Sequence, residues 1–170
     1  MHFARIQRIA LLLSLTGVVA IDHQPVWRVR LRSAGPIQFG MAVQEARKAL
    51  GDTSALPSLV ECDYWSPNNV PDSIHFLTEH GRVMRIDVHG ASVATASGAR
   101  VGDSEARIKL LYANQIEVQP HAYTDGHYLV FVPRDLADTG YRVIFETNGA
   151  IVLRYRAGLR PTVEYIEGCS

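Results

Sequence analysis

Hydrophobic and polar positions along this chain run in two periods, and the same succession of periods occurs twice. Gly40-Met41-Ala42-Val43-Gln44-Glu45-Ala46-Arg47-Lys48-Ala49-Leu50-Gly51 lines up with Gly102-Asp103-Ser104-Glu105-Ala106-Arg107-Ile108-Lys109-Leu110-Leu111-Tyr112-Ala113. Each stretch opens with a glycine after an apolar residue, Phe39 or Val101, and predicts one short amphipathic helix. In the second copy Asp103 or Ser104 can cap the free N–H groups, and Glu105 adds a charge favourable at that end. Ile108, Leu111 and Tyr112 then form one apolar stripe; the equivalent Ala46, Ala49 and Leu50 make a flatter one.

A period of two follows each helix. Phe76 to Gly90 resembles Phe145 to Gly158, and the turn glycines Gly81 and Gly149 each precede a closing glycine, Gly90 or Gly158, by nine residues. Asn148-Gly149 predicts a two-residue hairpin turn, and His80-Gly81 is a weaker version of it. Beyond the first turn, Val83, Arg85 and Asp87 alternate with Met84, Ile86 and Val88, which predicts an antiparallel sheet with one wet and one dry face. Further strands are expected at 26–31, 128–132, 141–145 and 162–166. Small residues at 91–98 mark a boundary, read as a linking strand or loop.

The expected fold class is therefore α+β: two tandem helix-plus-antiparallel-hairpin units, residues 21–96 and 97–170, each with one short helix packed on an antiparallel sheet. Neither half is comfortable alone at that size, so they should share one core or one sheet.

The first twenty residues follow a different logic. Arg5 and Arg8 precede an apolar run, and Val18 and Ala20 stand where a signal peptidase requires small residues. Residues 1–20 are expected to be a secretory signal peptide cleaved after Ala20. The rival interpretation is an uncleaved anchor, but the apolar run from Ile9 to Ile21 falls short of the ~20 residues that span a bilayer. No cysteine near the cleavage point offers a lipid acceptor. The expected location is periplasmic or secreted, with no stable membrane span after cleavage.

Composition narrows the class. The 170 residues carry 17 basic and 17 acidic side chains and are 47% hydrophobic, which excludes wholesale disorder, fibres and polytopic membrane proteins. The neutral balance argues against a nucleic-acid partner. Export changes how Cys62 and Cys169 read: a lone pair in an oxidising compartment is most simply one disulfide, whereas a metal site would want a CxxC spacing that is missing.

The glycine-opened helix and the Phe–turn–Gly hairpin, repeated over most of 37–166, resemble the β-lactamase inhibitory protein-like fold, of which the SmpA/OmlA-type outer-membrane assembly lipoproteins use a single related unit. Phe145 to Gly149 and Tyr165 to Ser170 are also similar to uncharacterised exported proteobacterial proteins. The resemblance implies two α+β units in tandem presenting a curved sheet; the lack of a lipobox departs from the assembly lipoproteins.

Candidate chemistry is sparse. His121 and His127 flank Asp125, but Asp125-Gly126 is a turn signal that accounts for the segment without metal. No GxSxG, HExxH or GxxxxGK(S/T) motif is present, so neither a catalytic set nor a cofactor is expected. Tyr64 and Trp65 lie beside Cys62 in a Pro/Asn-rich loop, and His121 and Tyr123 occupy the corresponding region of the second unit. These four are the candidate protein-binding residues, since Tyr and Trp on a supported loop suit an interface. Trp65 packed over the disulfide is the alternative. Arginine far outnumbers lysine, which suits bidentate recognition of carboxylates or phosphates but also follows from genomic base composition. The function expected is an exported cell-envelope binding protein, either a proteinaceous inhibitor or an accessory factor with an envelope protein partner. A small-molecule or glycan-binding module and, behind it, a hydrolytic enzyme are the alternatives.

Overall fold

The computed structural model describes residues 27–169; the expected leader, 1–20, lies outside the described residues. Two helices, α1 (Val43–Leu50) and α2 (Glu105–Leu111), pack against a largely β structure. Its strands are β1 (Arg28–Val29), β2 (Ser33–Ala34), β3 (Ile37–Gln38), β4 (Asp63–Trp65), β5 (Ile74–Glu79), β6 (Arg82–Val88), β7 (Ala94–Thr95), β8 (Ile116–Pro120), β9 (His127–Phe131), β10 (Tyr141–Thr147) and β11 (Val152–Leu159). The class is α+β, as expected. The two hairpins do not build separate sheets: both belong to one seven-stranded sheet ordered β4-β5-β6-β11-β10-β9-β8. A four-stranded sheet, β3-β2-β1-β7, is additional, and its two-residue strands are too short to leave a periodic signal.

The helix entries are built alike. Gly40 N–H donates to the Val83 carbonyl (2.7 Å), Val83 N–H to Met41 (2.9 Å) and Val43 N–H to Gly81 (2.9 Å). Gly102 donates to Val152 (2.8 Å), Val152 to Asp103 (2.9 Å) and Glu105 to Ala150 (3.1 Å). The hairpins correspond too. Phe76 opposite Ile86 and Thr78 opposite Val83 match Phe145 opposite Tyr155 and Thr147 opposite Val152, each 69 residues on, and both hairpins carry a bulge at the matching place. Strands β6 and β11 meet antiparallel at the middle of the sheet, with Asp87 opposite Arg156.

Several local expectations change. Ser104 caps α2 by accepting the Arg107 N–H, and Ile108 and Tyr112 are buried as the stripe requires. In α1 the buried residues are Val43 and Ala46, while Ala49 is exposed. The bulge leaves Met84 unpaired, so Val83 joins Ile86 and Val88 in the core rather than the face of Arg85 and Asp87. That second face is not wet: Arg85 and Asp87 are 3% and 8% exposed. Residues 162–166, expected as a strand, instead carry a 3-10 turn at Thr162–Glu164 that lies across this face. No described helix is long and apolar enough to cross a membrane.

Candidate functional site

The second face of the large sheet is covered by the chain's own segment 160–169, here termed the strap. Its Val163 is fully buried with Tyr128, Val130 and Ile144, a small apolar cluster separate from the main core. Two arginines hold its backbone from below. Arg85 Nη1 donates to the carbonyls of Thr162 (3.2 Å) and Tyr165 (2.7 Å), and Arg156 Nε donates to that of Val163 (2.8 Å).

The strap then reaches both edges of the sheet. Cys169 is disulfide-bonded to Cys62 beside edge strand β4, Cα to Cα 5.4 Å, as the sequence predicts. Two residues earlier, Glu167 accepts a hydrogen bond from the Tyr123 hydroxyl, in the loop between β8 and β9 at the opposite edge. Seven flat strands would set those edges about 29 Å apart, whereas two strap residues span at most about 7 Å. Residues from both edges, Cys62 and Tyr123, accordingly line one surface hollow together with Glu167 and Cys169 of the strap.

This arrangement relocates the candidate residues. Tyr64 is partly exposed and lies against the strap, where a Cβ on Gly168 would overlap its hydroxyl. Trp65 is 2% exposed and leaves the interface set: alternation along β4 turns it into the core, where it packs on Phe76 at 5.7 Å. It is a member of the main core rather than a cover over the disulfide. The His121 side chain is 7% exposed, so it too offers little surface. Its Nδ1 accepts the Tyr123 N–H (3.0 Å), which leaves Nε2 as the nitrogen that donates to Glu146 Oε1 at 3.1 Å. Tyr123 stays 65% exposed. His127 turns away from His121 to Glu105 (2.7 Å), and among the described residues no three His, Cys, Asp or Glu are placed to hold a metal ion.

Glu146 is the hub of the buried charge. His121, Arg154 (2.8 Å) and Arg156 (3.6 Å) surround it, and Arg156 lies over the Tyr128 ring at 5.4 Å, while His121 stacks on that ring at 4.6 Å. Burial alone would lift the Glu146 carboxyl; the hydrogen bonds from Arg154 and His121 outweigh it and hold the group below its ordinary value.

Between strap and sheet lies a polar cavity of about 500 Å³, lined by Tyr64, His75, Arg85, Asp87, His89, Arg154 and Arg156, with Tyr123, Ile166 and Glu167 as its roof and rim. A smaller cavity of about 200 Å³ adjoins it; Arg156 and Ile166 line both, and Tyr128 lines the smaller one. The hydroxyl of Tyr128, on a residue 5% exposed, meets no hydrogen-bond partner. His75 and His89 stand edge to face at 5.5 Å, and burial, with His75 and Arg154 nearby, holds the His89 imidazole below its ordinary value. The alternation in the sequence put Arg85 and Asp87 on a face expected to meet water, and nothing local marked Glu146 or Tyr128 as their neighbours beneath a covering segment.

No protein-family model and no curated protein matches the chain. Among solved structures it is similar to the uncharacterized protein YfeY from Escherichia coli at 12% identity, over 78% of this chain and 99% of that one, with a TM-score of 0.46.

Proposed function

We propose that this chain is an exported cell-envelope binding protein, built from a duplicated helix-plus-hairpin unit of the β-lactamase inhibitory protein-like type, that takes a small molecule in the cleft beneath its strap. The carrying observation is the cleft: three arginines and two histidines converge on one half-open space of about 500 Å³, inside the ~300–1,000 Å³ range of ligand pockets. The matching helix-entry hydrogen bonds and hairpin bulges support the duplication. The disulfide and the leader-like N-terminal sequence support export.

The inhibitor or accessory-factor alternative keeps one specific support, Tyr123, which stands 65% exposed at the rim. Native mass spectrometry of the mature protein isolated from the periplasm separates the two. A small bound species that disappears in Arg154→Gln supports the cleft reading. A bare mass together with a stoichiometric protein partner that Tyr123→Ala releases would replace it with the protein-binding one.

A further inference from the structure

The three arginines of the cleft are not equivalent. Arg85 spends its donors on Asp87 and on two strap carbonyls; Arg156 gives Nε to the Val163 carbonyl, stands 3.6 Å from Glu146 without a hydrogen bond, and its side chain is only 6% exposed. Arg154 meets one carboxylate, Glu146, through a single nitrogen, and its side chain is 47% exposed. A guanidinium has five N–H donors in a fixed fork, so part of this one faces the cavity unclaimed. Beside it, His75 gives Nδ1 to Ser66 Oγ at 2.8 Å and keeps Nε2, and His89 packs against His75.

The acids around this corner are engaged. Asp87 on β6 is held by Arg85, Glu146 on β10 by His121 and Arg154 through Oε1 while its buried Oε2 stands 3.6 Å from Arg156 without a hydrogen bond, and Glu167 on the strap by the Tyr123 hydroxyl. Tyr128, whose buried hydroxyl has no hydrogen-bond partner, lines the adjoining cavity with Arg156, so the space continues past the cationic corner toward a second polar side chain. Resting on the small-ligand reading above, we infer that the cleft binds a small organic anion, its carboxylate or phosphate group held by Arg154 beside His75 and His89. The remainder of the molecule extends past Arg156 toward Tyr128. An anion at this corner favours imidazolium, so binding takes up protons and strengthens as pH falls.

Histidine-ring NMR on the mature protein tests this with sulfate, standing for a phosphate ester, and benzoate, standing for a carboxylate, against sodium chloride of equal ionic strength. Both probes keep their charge between pH 5.5 and 8.0, so any pH dependence belongs to the protein. The expected result is a saturable shift of His75 and His89 with His80 unmoved, at least about tenfold tighter at pH 5.5 than at 8.0, and at least about tenfold weaker in Arg154→Gln. A response to one probe alone identifies the headgroup. No saturable shift with either probe up to about 50 mM, an affinity far too weak for a built site, overturns the inference, as does unchanged affinity in Arg154→Gln. If that variant loses its native circular dichroism, His89→Asn takes its place under the same criterion. Silent probes alongside a bound species in native mass spectrometry would sink the anion and leave the binding reading standing.

Discussion

Arg85 grips the Asp87 carboxylate with Nε at 3.0 Å from each oxygen and Nη2 at 2.9 Å, and turns its remaining nitrogen to the strap. One buried ion pair on the sheet thus sets where segment 160–169 crosses it. Both charges leave water for this, so the pair stands only while each partner and the strap carbonyls are in place.

Replacing Arg85 with Met leaves Asp87 buried without its ion-pair partner and frees two strap carbonyls. The expected loss is about 3–5 kcal/mol in urea unfolding. Adding Asp87→Leu removes the orphaned charge and should recover a large part of it; a double variant no better than the single one would show that the strap contacts, not the carboxylate, dominate.

The bond from Cys62 to Cys169 closes a loop with a sequence separation of 107. Loop-closure entropy sets an upper bound of about 4.7 kcal/mol on its contribution. Cys62→Ser with Cys169→Ser should lower the melting temperature of the oxidised protein, and reductant should lower the parent to the same value while leaving the double variant unmoved.

Gly168 has φ of +70° and lets the Tyr64 hydroxyl approach where a Cβ would sit. Gly168→Ala should therefore cost more than the ~1–2 kcal/mol of a left-handed alanine alone. In a Tyr64→Phe background the hydroxyl overlap is gone and the cost should fall toward that backbone share, with the ring carbons at 3.1 and 3.3 Å left to give way, which chemical denaturation of the three variants resolves.

Glu146 and Glu105 are both held below the ordinary carboxyl value of 4.5: burial opposes this in each, and hydrogen bonds from Arg154 and His121, or from Thr147 and His127, prevail. A depressed folded value means the contribution is full above 4.5 and is lost as pH falls from there toward the folded value. Unfolding free energy should thus drop on acidification below 4.5, and Glu146→Gln, less stable at neutral pH, should show a shallower drop. An unchanged acid slope in Glu146→Gln would place the proton uptake elsewhere.

Helices, hairpins and the sulfur pairing were legible because each leaves a local mark: a stripe at helical spacing, an alternation, two cysteines behind a leader-like N-terminal sequence. Turn chemistry was half legible. His80-Gly81, the weaker signal, makes the two-residue turn with φ of 50° and 70°. At Asn148-Gly149 the frame slips by one: Asn148 N–H bonds to the Ile151 carbonyl, so Gly149 and Ala150 are central, with Gly149 at φ 88°. The bulge at Met84 put Val83 on the wrong face for the same reason, since one extra residue inverts the alternation. The site itself was hidden because Thr162 to Ile166 has strand-like composition, while its carbonyls are taken by Arg85 and Arg156 rather than by a neighbouring strand. Only tertiary structure shows that the arginines lie under a cover.

Asp87 and Arg156 are matching positions of the two hairpins and also face each other across β6 and β11. A site that pairs with its own counterpart marks a local two-fold axis. In a dimer of identical halves the same side chain would sit there twice, two carboxylates or two guanidiniums repelling at close range. A single polypeptide escapes that symmetry, because each half mutates independently, and the floor it builds can be lopsided, with imidazoles from one hairpin and an accessible cation from the other.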